Sequence, residues 1–391
     1  MPSMSASTST MRASVLTDVR RIEIRAVPRP AIGPREVLVR VSTIGLCGTD
    51  FHIFEGHANY NTDAHGRPIP LSRQPQILGH EIAGIVADVG SHVSDLEPGH
   101  RVVLDQGLNC SSAAREPMCE YCRTGDSHQC EFYAEHGITG LQGGLADYLA
   151  ISAANAIRTG ADTDLAEAAL TEPLGCIVHS SDAVNRAAAR FEINSGEAER
   201  RVRAVLICGG GPAGLLFAQY LRKVLGYDQL LIVSEPNPRR RALAARFGAS
   251  VVDPATDDLL EAVDELTDGR RVEYLIEAAG VSSVFRQMPG LLRKQGTALL
   301  YGHGQSGMDL GVINNIQFLE PTLVAPVGAS GGFGEDGRPS TYRRALDLIE
   351  ERVIEVAPLI THRYSSLDSV PDVFGEGRFE ADYVKGVVIL D

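Results

Sequence analysis

The chain has 391 residues, 44% of them hydrophobic and 22% charged, enough apolar material for a sizeable core divided between two domains. Its formal net charge of −14 argues against nucleic acid or an anionic membrane as a partner, because the longest basic run is only Arg239-Arg240-Arg241. Seven cysteines are too few for a secreted disulfide scaffold, and no apolar run approaches the ~20 residues of a membrane-spanning helix. A cytoplasmic protein is expected.

Residues 1–10 are small and polar, without the apolar region of a signal peptide, and read as a disordered tail. From 11 to about 152 short β-rich segments alternate with Gly and Pro, as at 36–41 and 82–89, which predicts a β-barrel-like domain. Inside it stand Gly45-Leu46-Cys47-Gly48-Thr49-Asp50-Phe51-His52 and Gly79-His80-Glu81. A thiolate and an imidazole with a later carboxylate make an open zinc site, since catalytic zinc takes three protein ligands and structural zinc four. Asp50 is the natural carboxylate to orient His80. Glu81 is open between direct ligand, transient ligand and a group one step from the metal. Four of the cysteines, Cys110, Cys119, Cys122 and Cys130, crowd one segment, which points to thiolate ligation in a reducing compartment.

After a helical stretch at 164–187, strands and helices alternate, the pattern of a parallel sheet with helices on both faces. An apolar strand at 203–208 runs into Gly209-Gly210-Gly211-Pro212-Ala213-Gly214 and a helix. Gly209 permits the tight turn, Gly211 lets backbone approach a pyrophosphate, and Gly214 allows helix to pack on strand, with Pro212 and Ala213 opening the helix. A second strand ends in Glu235, placed to accept hydrogen bonds from an adenosine ribose diol. That carboxylate favours NAD over NADP, although an arginine of the following run, Arg240 foremost, sits where it could meet a 2′-phosphate. Gly302, after a later strand, falls at the carboxyl edge of the sheet, where ligands bind. A Gly/Pro-rich loop at 331–339, a helix near 342–351 and a strand at 386–390 finish the chain.

Zinc chemistry ahead of a dinucleotide fold, in this order and over nearly the whole chain, resembles the zinc-dependent medium-chain dehydrogenase/reductase family, in its sorbitol (polyol) and threonine dehydrogenase branch. The resemblance is carried by G-L-C-G-T-D-F-H at 45–52, G-H-E at 79–81, E-P-L-G at 172–175, G-G-G-P-A-G at 209–214 and T-H-R-Y at 361–364. It implies an α/β protein. A GroES-like β-barrel catalytic domain would occupy 11–176 and regain the chain at 328–391, with a doubly wound parallel-sheet Rossmann domain for NAD at 177–327.

By the same resemblance Cys47, His80 and Glu172 hold the catalytic zinc, and a Glu at the third position points toward polyols and amino alcohols. The metal would lower the pKa of the substrate hydroxyl, Thr49 would pass its proton on toward His52 through the cofactor ribose, and hydride would move to the nicotinamide. The family's structural zinc lobe is matched by Cys119, Cys122 and Cys130. Glu116 stands where the first cysteine is expected, leaving Cys110 across an insertion, Glu116 itself, or a metal-free lobe. The long polar connection at 59–68 also departs from the family: it either lines a cleft for a polyhydroxylated substrate or is a solvated loop. The implied activity is NAD-dependent oxidation of a secondary alcohol of a polyol, sugar or cyclitol. Oxidation of an amino-acid β-hydroxyl, as in threonine 3-dehydrogenase, is the alternative. A zinc-free quinone or enoyl reductase, or a non-catalytic relative, would need the retained donors to be idle. A homo-oligomer, dimer or tetramer, is implied through the apolar strand near 322–325.

Overall fold

The computed structural model describes residues 9–303, 311–376 and 380–390. These form two compact units: Met1–Glu172 with Ser330–Glu350 and Ile360–Asp391, and Pro173–Ala329 with Glu351–Leu359. The chain therefore visits the second unit again at Glu351–Leu359, after the single return expected at 328. Of the expected tail, residues 1–8 lie outside the described part, and Thr10 already opens the strand Thr10–Asp18.

The first unit is built on a seven-stranded sheet in the order Ala156–Arg158, Arg101–Leu104, Glu81–Val89, Glu36–Gly45, Lys385–Ile389, Ile360–Tyr364, with Tyr148–Ser152 also paired to Glu36–Gly45. Glu36–Gly45 can be central because Val37, Val39 and Val41 alternate inward and are essentially buried. Their face joins a core that includes Leu16, Ile44, Ile82, Leu104 and Leu145. Register brings three strand ends to one place: Gly45 pairs with Glu81 on one side and with Val387 on the other. Cys47, Glu81 and Lys385 thus meet although they are far apart in sequence. Gly45 needs to be glycine, since a Cβ there would lie 2.0 Å from Glu81 Oε2.

The second unit carries a six-stranded sheet in the order Ser250–Val252, Leu230–Ser234, Ala204–Cys208, Val272–Glu277, Leu292–Leu300, Thr322–Val324. Every neighbouring pair is parallel. All five residues of Ala204–Cys208 are buried, as expected of a central parallel strand covered on both faces. The order turns back beside that strand, so the loop after it opens at the switch point where ligands bind in doubly wound sheets.

Candidate metal and nucleotide centres

Cys47 precedes the short helix Gly48–Phe54, and Asp50 in its first turn reaches back to accept from the Cys47 N–H at 2.9 Å. The other Asp50 oxygen accepts from the Gly79 N–H at 3.1 Å and lies 3.3 Å from His80 Nδ1. One buried carboxylate therefore ties together the two halves of the motif. Burial opposes the charge on Asp50, but His80 and the two N–H donors more than offset it, and the carboxyl is held below its ordinary value. His80 is likewise buried; Asp50 and then Cys47 overcome the burial and hold its imidazole well above the ordinary value. In this geometry Asp50 is an orienting residue that holds His80 and the Cys47 loop. Thr49 Oγ1 lies 3.8 Å from Cys47 Sγ, and half-buried His52 stands three residues further along the same helix.

The donor atoms of Cys47, His80 and Glu81 all lie within 4.8 Å of one another. Glu172 is outside that group; its Oε1 accepts from Gln106 Nε2 at 3.0 Å. Glu81, fully buried, bonds through Oε1 to Lys385 Nζ at 2.5 Å, while its Oε2 is buried with no hydrogen-bond partner. Burial works against the Lys385 charge, but Glu81 and then Cys47 reverse that and hold the ammonium above its ordinary value. A thiol, an imidazole and an orphaned carboxylate oxygen are a donor set that fits zinc with a fourth position left open. Lys385 escapes sequence reasoning because it reads as the entrance of an apolar strand, and a single lysine there carries no signal.

In the cysteine lobe the structure draws in Cys110 and leaves Glu116 exposed. Four sulfurs at about 2.3 Å from a tetrahedral ion stand about 3.8 Å apart. Cys110 and Cys119 lie 3.6 and 3.8 Å from Cys130. The N–H groups of Cys119, Cys122 and Phe132 donate to sulfurs of the set at 3.4 to 3.5 Å. The Cys122 N–H is the largest cause that pulls the Cys119 thiol down to about 6. The insertion that lets Cys110 in closes on itself: Asn109 Oδ1 accepts from the N–H groups of Ser111 and Ser112, and the Arg115 N–H returns to the Cys110 carbonyl at 2.8 Å.

The polar connection at 59–68 spends most of its polarity internally. Asp63 accepts from the N–H groups of His65 and Arg67 and from the Arg67 guanidinium, and Asn59 bridges Asn61 and Ile69. At Tyr60, burial, then the charges of Cys47 and Glu135, push the phenol up.

In the second unit Gly209 has φ +103°, and a Cβ on Gly214 would lie 1.9 Å from the Gly209 carbonyl, which enforces the glycines of the loop. Gly211 precedes the helix Pro212–Gln219, with Pro212 and Ala213 in its first turn. Glu235, buried at the strand end, accepts from the N–H groups of Gly210 at 2.7 Å and Asn237 at 2.8 Å. Of the arginine run, Arg241 is committed to the Glu235 and Pro236 carbonyls and, at 2.8 Å, to Asp253; Arg240 lies in the first turn of the helix Pro238–Arg246. Gly302 packs against Gly280, where its Cβ would approach the Gly280 nitrogen to 2.4 Å. A backbone cradle with a carboxylate at its edge suits a dinucleotide.

Residues 33–161 match the alcohol dehydrogenase GroES-like domain family, and residues 212–351 the zinc-binding dehydrogenase family. The chain is 31% identical to the L-threonine 3-dehydrogenase of Pyrococcus abyssi over 89% of both chains. It is 29% identical to the sorbitol dehydrogenase of Halalkalibacterium halodurans over 88% of both. Among solved structures it is similar, at a TM-score of 0.78 and 30% identity over 97% of this chain and 99% of the other, to one described as a zinc-binding dehydrogenase of Sinorhizobium meliloti 1021 bound to NADP.

Proposed function

Because the chain belongs to the zinc-dependent medium-chain dehydrogenases, oxidoreductases acting on CH–OH donors with zinc and an NAD-type cofactor, we propose that it oxidises a secondary alcohol of a polyol, sugar or cyclitol with NAD. The observation that carries this reading is the convergence of Cys47, His80 and Glu81 within 4.8 Å, with the Thr49 hydroxyl beside the thiol. A secondary alcohol flanked by an amino group is the second reading, favoured by the likeness to L-threonine 3-dehydrogenases.

Cys47 Sγ, a His80 ring nitrogen and Glu81 Oε2 would hold the ion. Zinc, when bound, acts as a Lewis acid that lowers the pKa of the substrate hydroxyl, and the nicotinamide supplies the hydride acceptor. Asp50 keeps the Cys47 loop and His80 in register. Lys385 holds one oxygen of Glu81 and leaves the other for the metal. Thr49 Oγ1 would relay the substrate proton, accepting it as the hydroxyl gives up its own, and His52 would pass the relayed proton toward solvent. Cys110, Cys119, Cys122 and Cys130 would hold a second ion whose role is to fix the lobe. In the second unit, Gly209, Gly211 and Gly214 would receive the pyrophosphate and Glu235 the ribose diol, with Arg240 and Gly302 bordering the cofactor; with Arg241 occupied by Asp253, the carboxylate would favour NAD.

Among the described residues no helix is long and apolar enough to cross a membrane, and seven free thiols suit the cytoplasm. Assembly into a dimer or tetramer is supported by the edge strand Thr322–Val324, where Leu323 is 51% exposed, with Val327 and Phe318 nearby also exposed. The test is NADH formation from NAD⁺ over a panel of sorbitol, other polyols, inositols and L-threonine. Turnover of polyols supports the first reading, turnover of threonine alone the second, and no turnover of any panel member by zinc-loaded protein refutes both.

A further inference from the structure

We propose that Glu135 is the specificity-determining carboxylate of the substrate site, accepting a hydrogen bond from a hydroxyl or ammonium on the carbon next to the one oxidised. The inference rests on the dehydrogenase reading above and adds a residue that sequence motifs do not single out.

Gln106 is fully buried between the strands Arg101–Leu104 and Gly107–Leu108. The Tyr342 hydroxyl donates to its Oε1, which fixes the amide so that both N–H bonds face carboxylates: Glu135 Oε1 at 2.9 Å and Glu172 Oε1 at 3.0 Å. A neutral amide thus holds two acids side by side without cancelling their charge. Glu135 has no Lys or Arg partner among the described residues, and its Oε2 is neither hydrogen-bonded nor sealed from solvent. A carboxylate oxygen positioned this firmly and left unmatched is a recognition group waiting for a donor.

Its position is tied to the metal loop. The His136 N–H bonds to the Gln106 carbonyl at 2.9 Å, and Gly137 lies so close to Gly79 that a Cβ would stand 2.6 Å from the Gly79 carbonyl. Gly79 is the residue before His80. Burial, then the charges of Cys47 and Glu135, push the Tyr60 phenol up. On this reading an alcohol whose carbinol is held by Cys47, His80 and Glu81 would present a neighbouring substituent to Glu135. Diols and amino alcohols offer that donor, and simple secondary alcohols do not.

Steady-state kinetics of wild type and Glu135→Gln with NAD⁺ on 2-butanol, 2,3-butanediol and L-threonine, with zinc content measured on each preparation, test this. The glutamine can still accept from Gln106, so the amide bridge and the bound zinc are expected unchanged. In the variant kcat/KM should fall roughly 10- to 100-fold, mainly through KM, on the donor-bearing substrate the enzyme uses, with 2-butanol within about twofold. A larger loss on threonine assigns the donor as ammonium, and a larger loss on the diol as hydroxyl. Equal losses on all substrates, or no loss on any, overturn the role of Glu135. A wild type that carries zinc yet oxidises none of the three refutes the dehydrogenase reading, and this one with it.

Discussion

Replacing Lys385 by methionine removes the ammonium that stands 2.5 Å from Glu81 Oε1 and keeps a long apolar side chain. Both partners are essentially sealed, Glu81 at 0% and Lys385 at 3% exposure, so no water can take over the lost partner. Deleting one member of a buried pair leaves the other charge uncompensated and costs about 3–5 kcal/mol. Zinc held at Glu81 supplies positive charge on the other oxygen, so the cost should be largest in chelated protein and smaller with zinc bound. The companion variant Lys385→Met/Glu81→Gln removes the stranded charge and should regain most of the loss. Urea denaturation of the four forms, wild type included, with and without zinc, gives the comparison. A loss below about 1 kcal/mol in the chelated single variant, or a double variant no more stable than the single, would refute the claim that Glu81 is a buried carboxylate held for the metal by Lys385.

Four further outcomes are expected. Metal analysis should find two zinc ions per chain in wild type and in Glu116→Ala but one in Cys110→Ser, because Cys110 sits 3.6 Å from Cys130 and Glu116 is exposed. Glu235→Ser should raise the NADP/NAD ratio of kcat/KM by roughly tenfold or more, one step of about 1.4 kcal/mol, by removing the carboxylate that opposes a 2′-phosphate. Thr49→Val should lower kcat by roughly 100-fold or more with zinc content intact, as expected for loss of a proton acceptor. Burial holds the His136 imidazole below its ordinary value. Below about pH 6.5 the unfolded chain therefore binds a proton that folded His136 resists, and stability falls as pH falls through that window. His136→Asn should flatten that fall in urea midpoints measured across it.

The order of the two domains, the glycine loop and the thiolate and imidazole donors were legible in sequence because each is a local pattern with a fixed chemical demand. Gly209 and Gly214 are such cases: one needs positive φ and the other has no room for a Cβ. What sequence could not reveal is set by register between distant strands. Nothing local says that Gly45 pairs with Glu81 and Val387, so Lys385 and its bond to Glu81 were invisible, as was the Tyr342–Gln106 bridge to Glu135 and Glu172. The donor set illustrates the same limit, since the Glu beside His80 enters the compact group while Glu172 is engaged by Gln106. The polar loop at 59–68 was left open in sequence between lining a cleft and lying in solvent, and in the structure Asp63 and Asn59 close their own turn.

The role of Cys47 as a zinc donor at the reacting centre is tested most directly by zinc content and NADH formation measured on the same preparations of wild type and Cys47→Ala. Wild type should carry two zinc ions per chain and oxidise a polyol or amino alcohol. Cys47→Ala should keep the lobe ion held by Cys110, Cys119, Cys122 and Cys130, lose the other, and fall to background turnover. A variant that retains both ions, or that turns over substrate at the wild-type rate with one, would contradict it.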